Sequence, residues 1–215
     1  KGTDTLAITL ATNNLTSATM SGVTAVEKIT FTALNTETAG FVLANGTFVT
    51  TATAVVTGVV DASSWTGTGA LTFDGSAEAD SQMEITGGNG GDILTGGAKA
   101  DTIIGGLGID TIIGGDGIDI IDGGAGNDII TVDDVSDFIG LTSAETVIGG
   151  SGAADVLNFS ENATTTIAAS DLMKISGIET IKLGGTGANT ITLNNDVFAA
   201  NGSTTLTITD SATAG

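Results

Sequence analysis

The stretch from Gly87 to Thr131 limits what this chain can fold into more than any other. It reads GGNGGDILT, GGAKADTII, GGLGIDTII, GGDGIDIID and GGAGNDIIT, five nonapeptides in unbroken register. Glycines fill positions one and two, and an Asp fills position six. Position eight is always a large aliphatic: Leu94, Ile103, Ile112, Ile121 and Ile130. With so short a period no unit can bury its apolar residue alone, so successive units must stack on one another. The glycines let the backbone turn sharply with φ > 0, where a Cβ is resisted. The three residues left over in each unit suit a short strand. Strand side chains alternate, so the position-eight aliphatics build one buried ladder. A flexible linker would have no reason to carry Leu or Ile at every ninth residue.

The loops point to a hard cation. Such turns aim carbonyl oxygens inward, and the Asp adds an anionic oxygen. Six to eight oxygens of this mixed kind suit Ca²⁺, whereas Mg²⁺ demands a tighter octahedron. The carboxylate candidates in the block are Asp92, Asp101, Asp110, Asp119 and Asp128; the glycine candidates are Gly87, Gly96, Gly105, Gly114 and Gly123. Outside the block, DGSAEAD at 74–80 repeats the glycine-to-aspartate spacing from Gly75 to Asp80, which makes Asp80 a further candidate and Glu78 a weaker one. GGSGAADVL at 149–157 is a repeat loop with one extra residue, and Asp155 is its Asp. GGTGANTIT at 184–192 puts Asn189 in that place and loses the charge. Trp65, the single Trp, reads as a core or cap residue.

Composition narrows the function. There are 25 acidic residues against 5 basic ones, for a net charge of −20. That charge argues against nucleic acid and anionic membrane surfaces as partners and fits cations. A hydrophobic content of 40% is too high for a disordered acidic tail. The chain has no His and no Cys. It therefore has no H-E-x-x-H zinc site, no His base for a nucleophile and no disulfide, and no catalysis is expected. No apolar run has the length of a membrane span, so membrane insertion is not expected. The sequence opens at Lys1 with no visible signal peptide and reads as a piece of a longer protein.

The expected fold is all-β: a parallel β-roll or β-solenoid with calcium-binding repeat loops. Three parts are expected. Residues 1–73 form a solenoid-like N-terminal part, 74–158 the calcium-binding roll, and 159–215 a solenoid-like C-terminal part. Alternation of Leu6, Ile8 and Leu10, and of Ile29 and Phe31 against Lys28 and Thr30, predicts strands before the block. TIAASDLMKI at 166–175 predicts one short helical turn.

The nonapeptides resemble the repeats of the RTX family, G-G-x-G-x-D-x-U-x with U aliphatic. Four of the five match that pattern in full; the second has Lys99 in place of the fourth-position Gly. The resemblance implies a calcium-bound parallel β-roll in which two nonapeptides complete a turn and the ion lies between units eighteen residues apart. On that basis Asp92 pairs with Asp110, and Asp110 with Asp128, along one edge. Asp101 pairs with Asp119 along the other, where Lys99 weakens the loop. Asp133 or Asp134 either closes the last site on the Asp119 edge or belongs to an exposed acidic loop. Asp137 keeps the nine-residue step from Asp128 without glycines around it.

The wider order of VDASSWTGTGALTFDGSA, the nonapeptides, GGSGAADVLNF and SGIETIKL is similar to calcium-dependent surface-layer proteins of Gram-negative bacteria. That likeness implies a secreted, cell-surface structural module. Its partners would be calcium and further copies of itself, with cell-surface polysaccharide reached through other parts of a parent protein. Calcium would drive both folding and lattice assembly. The alternatives are a calcium-stiffened module of a large RTX adhesin, or the accessory roll of a secreted RTX enzyme or toxin.

Overall fold

The structure, a computed structural model, describes residues 5–10, 15–19, 27–33, 39–42, 57–139, 145–160, 166–184, 189–193, 197 and 205–210. The chain winds as a parallel β-solenoid, as the nonapeptide period demands. Through most of its length successive strands go alternately to two sheets. One is eight-stranded and the other nine-stranded, and a separate pair joins Thr166–Ile167 to Thr190–Ile191. In the block, Thr102–Leu107 and Ile120–Ala125 lie side by side in the eight-stranded sheet. Ile93–Thr95, Thr111–Ile113 and Ile129–Val132 lie side by side in the nine-stranded one. Two nonapeptides thus complete one coil.

The register stacks the apolar positions on one another. Ile29, Val60, Ile85, Ile103, Ile121, Val147 and Ile175 form one ladder. Phe73, Leu94, Ile112, Ile130, Leu157 and Ile181 form the facing one. All are buried, and the five position-eight aliphatics have no exposed surface. At either end of the block the core thickens with larger side chains. Trp65, Leu71 and Met83 lie on the N-terminal side, and Phe138, Phe159 and Leu172 on the C-terminal side. Trp65 is therefore a core residue, packed under the loop at Gly88.

The sheets run through the block into both flanks. Leu71–Asp74 and Val156–Phe159 are single strands that carry the hydrogen bonding across residues 73–74 and 158–159. Among the described residues a four-residue helical turn, Val135–Phe138, and a 3-10 turn, Asp171–Lys174, interrupt the strands, the latter inside the stretch where a helical turn is expected. Among the described residues no helix is long and apolar enough to cross a membrane.

Candidate metal centre

In every regular coil the Asp of the nonapeptide stands directly before a strand, at the end of its glycine loop. That position places the carboxylates above one another. Along the edge leading into the nine-stranded sheet, the Asp92 amide donates to Asp110 Oδ1 (2.6 Å) and the Asp110 amide to Asp128 Oδ1 (2.8 Å). The Asp128 amide donates in turn to Asp155 Oδ1 (2.7 Å), and the Asp155 amide to Glu179 Oε2 (2.8 Å). The opposite edge, leading into the eight-stranded sheet, has a shorter ladder: the Asp101 amide donates to Asp119 Oδ1 at 2.7 Å. Each ladder begins on an apolar residue, with the Leu71 amide donating to Asp92 and the Met83 amide to Asp101. The structure thus brings together the three pairs expected from the sequence.

Asp92, Asp101, Asp110, Asp119, Asp128 and Asp155 are all buried. In the first loop of each edge the second carboxylate oxygen is capped, by the Gly88 amide for Asp92 and by the Gly97 amide for Asp101. The later loops differ. Gly106 sits at φ +113°, in the left-handed region, and Asp110 Oδ2 is buried with no hydrogen-bond partner. Asp128 Oδ2 and Asp155 Oδ2 are in the same condition. A buried anionic oxygen without a partner is expensive.

The first glycine of each loop marks the space concerned. A Cβ on Gly105 would run into the Gly123 carbonyl oxygen and Asp110 Oδ2. On Gly123 it would meet Asp128 Oδ2 and the Gly149 carbonyl. On Gly87 and Gly96 it would meet Asp92 Oδ2 or Asp101 Oδ2, together with the carbonyl of Gly105 or Gly114. At Gly114 the neighbours are Asp119 Oδ2 and, at 3.1 Å, Glu145 Oε1. A carboxylate oxygen and an oxygen from the next coil therefore flank one small space in every loop.

Electrostatics follow from this burial. Burial pushes the Asp110 carboxyl up to about 7; the hydrogen bond from the Asp92 amide opposes the rise, and the Asp92 and Asp128 charges add to it. Burial likewise takes Asp92 and Asp101 to about 6 against the pull of their amide hydrogen bonds. Asp128 and Asp155 are raised by the same cause. Among the described residues no three acidic side chains gather at one point. A cation here would be held by one or two carboxylates and completed by carbonyls. Hard oxygen donors, orphaned anionic oxygens and a space that only glycine leaves open fit Ca²⁺.

Outside the nonapeptides the structure separates the sequence-based candidates: Asp155 stands on the ladder, and the others lie elsewhere. Asp80 is exposed, whereas Glu78 is buried. The Glu78 amide donates to the Gly75 carbonyl (2.8 Å), closing a turn earlier than the glycine-to-aspartate spacing implies. That turn puts Glu78 near Asp101, whose charge it opposes, and leaves Asp80 outside. Asp133 is exposed, beside a small cleft lined by Gly96, Gly97, Gly115 and Asp116. Asp134 caps the short helix, accepting from the Ser136 amide at 2.8 Å, and hydrogen bonds from Ser136 hold its carboxyl below the usual range. The Asp137 side chain lies outside the described residues. Glu145 takes the rung above Asp119 in place of these residues, since Thr146 donates to the Asp119 carbonyl and pairs with Ile120. Asn189 uses its amide nitrogen as a donor, to the Gly184 carbonyl and to Asp210 Oδ1, and the strand after it joins the separate two-stranded pair.

Glu145 and Glu179 escaped the sequence reading although a signal was present. Asp101-Thr102-Ile103 and Asp110-Thr111-Ile112 are echoed by Glu145-Thr146-Val147 and Glu179-Thr180-Ile181. An acid, a threonine and a β-branched aliphatic at the head of a strand mark the rung even where the glycines do not.

Compared with known proteins, residues 86–108 and 104–139 match the RTX calcium-binding nonapeptide repeat (4 copies). Neither the curated proteins nor the solved structures give a match. The match covers the block and leaves out Asp155, Glu179 and the flanking coils. The repeats imply calcium binding within a structural module, and the roll they build is a structural fold and not a catalytic one. The chain is a parallel β-solenoid with a block of RTX-type calcium-binding repeats at its centre.

Proposed function

We propose that this chain is a calcium-dependent structural module of a bacterial surface layer, secreted and assembled with copies of itself at the cell surface. Calcium lies between successive loops along each edge. Asp92, Asp110, Asp128 and Asp155 serve the longer edge, Asp101, Asp119 and Glu145 the shorter, and the carbonyls of Gly105, Gly114, Gly123 and Gly149 complete the sites. The observation that carries the calcium reading is the set of buried carboxylate oxygens at Asp110, Asp128 and Asp155 that have no hydrogen-bond donor.

Assembly is supported by the outer faces of the solenoid. Ile93 and Ile129 on one sheet, and Ile104 and Ile120 on the other, are exposed aliphatics on a chain of net charge −20. Charge repulsion keeps such faces apart. Each bound Ca²⁺ removes two charges and fixes the strands that present these residues. Extracellular calcium modules bind at about 10⁻⁴–10⁻³ M, which sets the expected range.

The test is light scattering against calcium at fixed ionic strength, with magnesium as control and circular dichroism in parallel. Scattering that rises with millimolar calcium, and not with magnesium, is the expected result. A protein whose strand signal is complete in calcium yet stays monomeric contradicts the surface-layer reading, and the adhesin module then takes its place.

A further inference from the structure

The longer acidic ladder does not stop where the nonapeptides stop. We propose that Asp155, Glu179 and the Gly177 carbonyl form a further divalent-cation site, closed by the short loop Ser176-Gly177-Ile178-Glu179. The proposal rests on the calcium reading of the repeats and extends it to a loop that lacks the nonapeptide pattern.

Three features carry it. First, the Gly177 carbonyl stands over Gly149 as the Gly123 carbonyl stands over Gly105 and the Gly149 carbonyl over Gly123, with the Asp155 side chain alongside and its carboxylate oxygens turned toward Gly152. A Cβ on Gly149 would strike the Gly177 carbonyl oxygen and come within 2.9 Å of Asp155 Cβ. The turn that presents this carbonyl needs a left-handed residue, and Gly177 has φ +66°. Secondly, Glu179 makes the rung contact. Its Oε2 accepts from the Asp155 amide at 2.8 Å, as Asp155 Oδ1 accepts from the Asp128 amide at 2.7 Å. The loop from Gly177 to Glu179 is shorter than the one from Gly149 to Asp155, and the extra methylene of Glu makes up the reach. Thirdly, Asp155 has no exposed surface, and its Oδ2 is buried without a hydrogen-bond partner. An anionic oxygen in that position calls for a cation. One coil further on, the residue at the head of the strand is Leu206, before Thr207. The acid ladder, and with it the row of sites, ends at Glu179.

The competing account makes Glu179 a simple acceptor that ends the ladder. Glu179→Gln separates the two, because the Gln carbonyl oxygen still accepts from the Asp155 amide while the charge is lost. Calcium stoichiometry of the full chain is measured by calorimetric titration for the unaltered protein, Glu179→Gln, and Glu84→Gln as an exposed control. The expected result is one ion fewer in Glu179→Gln alone. An unchanged count in that variant overturns the proposal. If Glu179→Gln does not fold, anomalous scattering from terbium-soaked crystals of the unaltered chain decides. A peak in contact with both Asp155 and Glu179 upholds the site, and peaks confined to the nonapeptide loops overturn it. An unaltered chain that binds no calcium at all removes the calcium reading of the repeats as well, and so is distinct from failure of this site alone.

Discussion

The nonapeptide coils and the two coils that follow them are built on the same rung from different lengths of chain. Asp92 to Asp110 and Asp110 to Asp128 are steps of 18 residues. Asp128 to Asp155 takes 27, and Asp155 to Glu179 takes 24. The amide-to-carboxylate bond is nonetheless kept at each step, and the aliphatic after it stays in the core: Ile112, Ile130, Leu157, Ile181. Among the described residues of these longer coils are the Val135–Phe138 helix and the Asp171–Lys174 turn. Their side chains then cover the core, with Phe138 meeting Phe159 edge-on at 5.0 Å. What defines a coil is the acid at the head of the strand and the aliphatic within it.

The two regions also differ in what holds them. Each half-coil of the block buries one aliphatic in a ladder and one carboxylate at an edge. The flanks add Trp65, Leu71 and Phe73 on one side and Phe138, Phe159, Leu172 and Ile178 on the other. Burial of such a side chain contributes about 1.5–3 kcal/mol. Metal-free, the block has its carboxylates against it and little apolar area for it, whereas the flanks set larger apolar side chains against theirs. The largest expected effect follows. Chelation of calcium should abolish amide protection across residues 87–131, while strands such as Thr57–Asp61 and Thr180–Leu183 keep part of theirs. Hydrogen exchange with and without chelator reads this directly. Equal loss in block and flanks would break the comparison.

Within the block the position of a carboxylate on its ladder should matter. Asp110 lies between Asp92 and Asp128 and takes part in two successive spaces; Asp92 opens its ladder on Leu71. At a hundredfold excess of calcium over Kd, each site adds about 2.7 kcal/mol of stability. Asp110→Ala should therefore lose about twice what Asp92→Ala loses, in thermal unfolding at that calcium level. Equal losses would mean that the sites do not share carboxylates.

A third expectation concerns pH, and its sign reverses with calcium. Asp110 is raised from 3.8 to about 7, and Asp92 and Asp101 to about 6. A carboxyl that is harder to ionise in the fold than in the unfolded chain stabilises the metal-free fold at low pH. That contribution is complete below the ordinary value and is lost as pH rises through about 6 to 7. Calcium needs the ionised form, so its affinity should rise over the same interval, with protons released on binding. Calorimetric titration near pH 6.5 in buffers of different ionisation enthalpy measures that release. Calcium binding with no proton release and equal affinity on both sides of the window would show that these carboxyls are not buried as described.

How far the sequence carries depends on which signal is periodic. The aliphatic ladder and the Asp rungs were legible because Gly-Gly, Asp and Ile recur at a fixed step, and register then follows from the pleat. Asp155 keeps the rung contact despite one extra residue in its loop. Asp80 is exposed, because a turn closing between Gly75 and Glu78 outweighs glycine spacing. Glu145 and Glu179 lay beyond a glycine-based reading altogether. The acid-threonine-aliphatic triplet marks them in the sequence, and the stacking of their strands on those of Asp119 and Asp155 fixes their place.

The smallest effects are expected at loop position four, where Lys99 departs from the glycine pattern. Its successor on the same edge, Gly117, has φ +113°, and a Cβ there would lie 2.7 Å from the Lys99 carbonyl carbon. Gly117→Ala therefore meets both backbone strain and a collision, and should destabilise the calcium-loaded protein by about 1–2 kcal/mol. Lys99 opens its edge, in the loop where neither Gly96 nor Gly97 is left-handed, and its side chain is exposed. What remains of its influence is one screened positive charge. Lys99→Gln should tighten calcium binding by a few tenths of a kcal/mol at most, less than about twofold, and the gain should fade with added salt. Parallel calcium titrations of the two variants at low and physiological salt make the contrast. If Lys99→Gln tightens binding tenfold, the charge reaches the ion directly and the first loop of this edge holds calcium as closely as the later ones. If Gly117→Ala is silent, the left-handed loop is not the form that binds the ion.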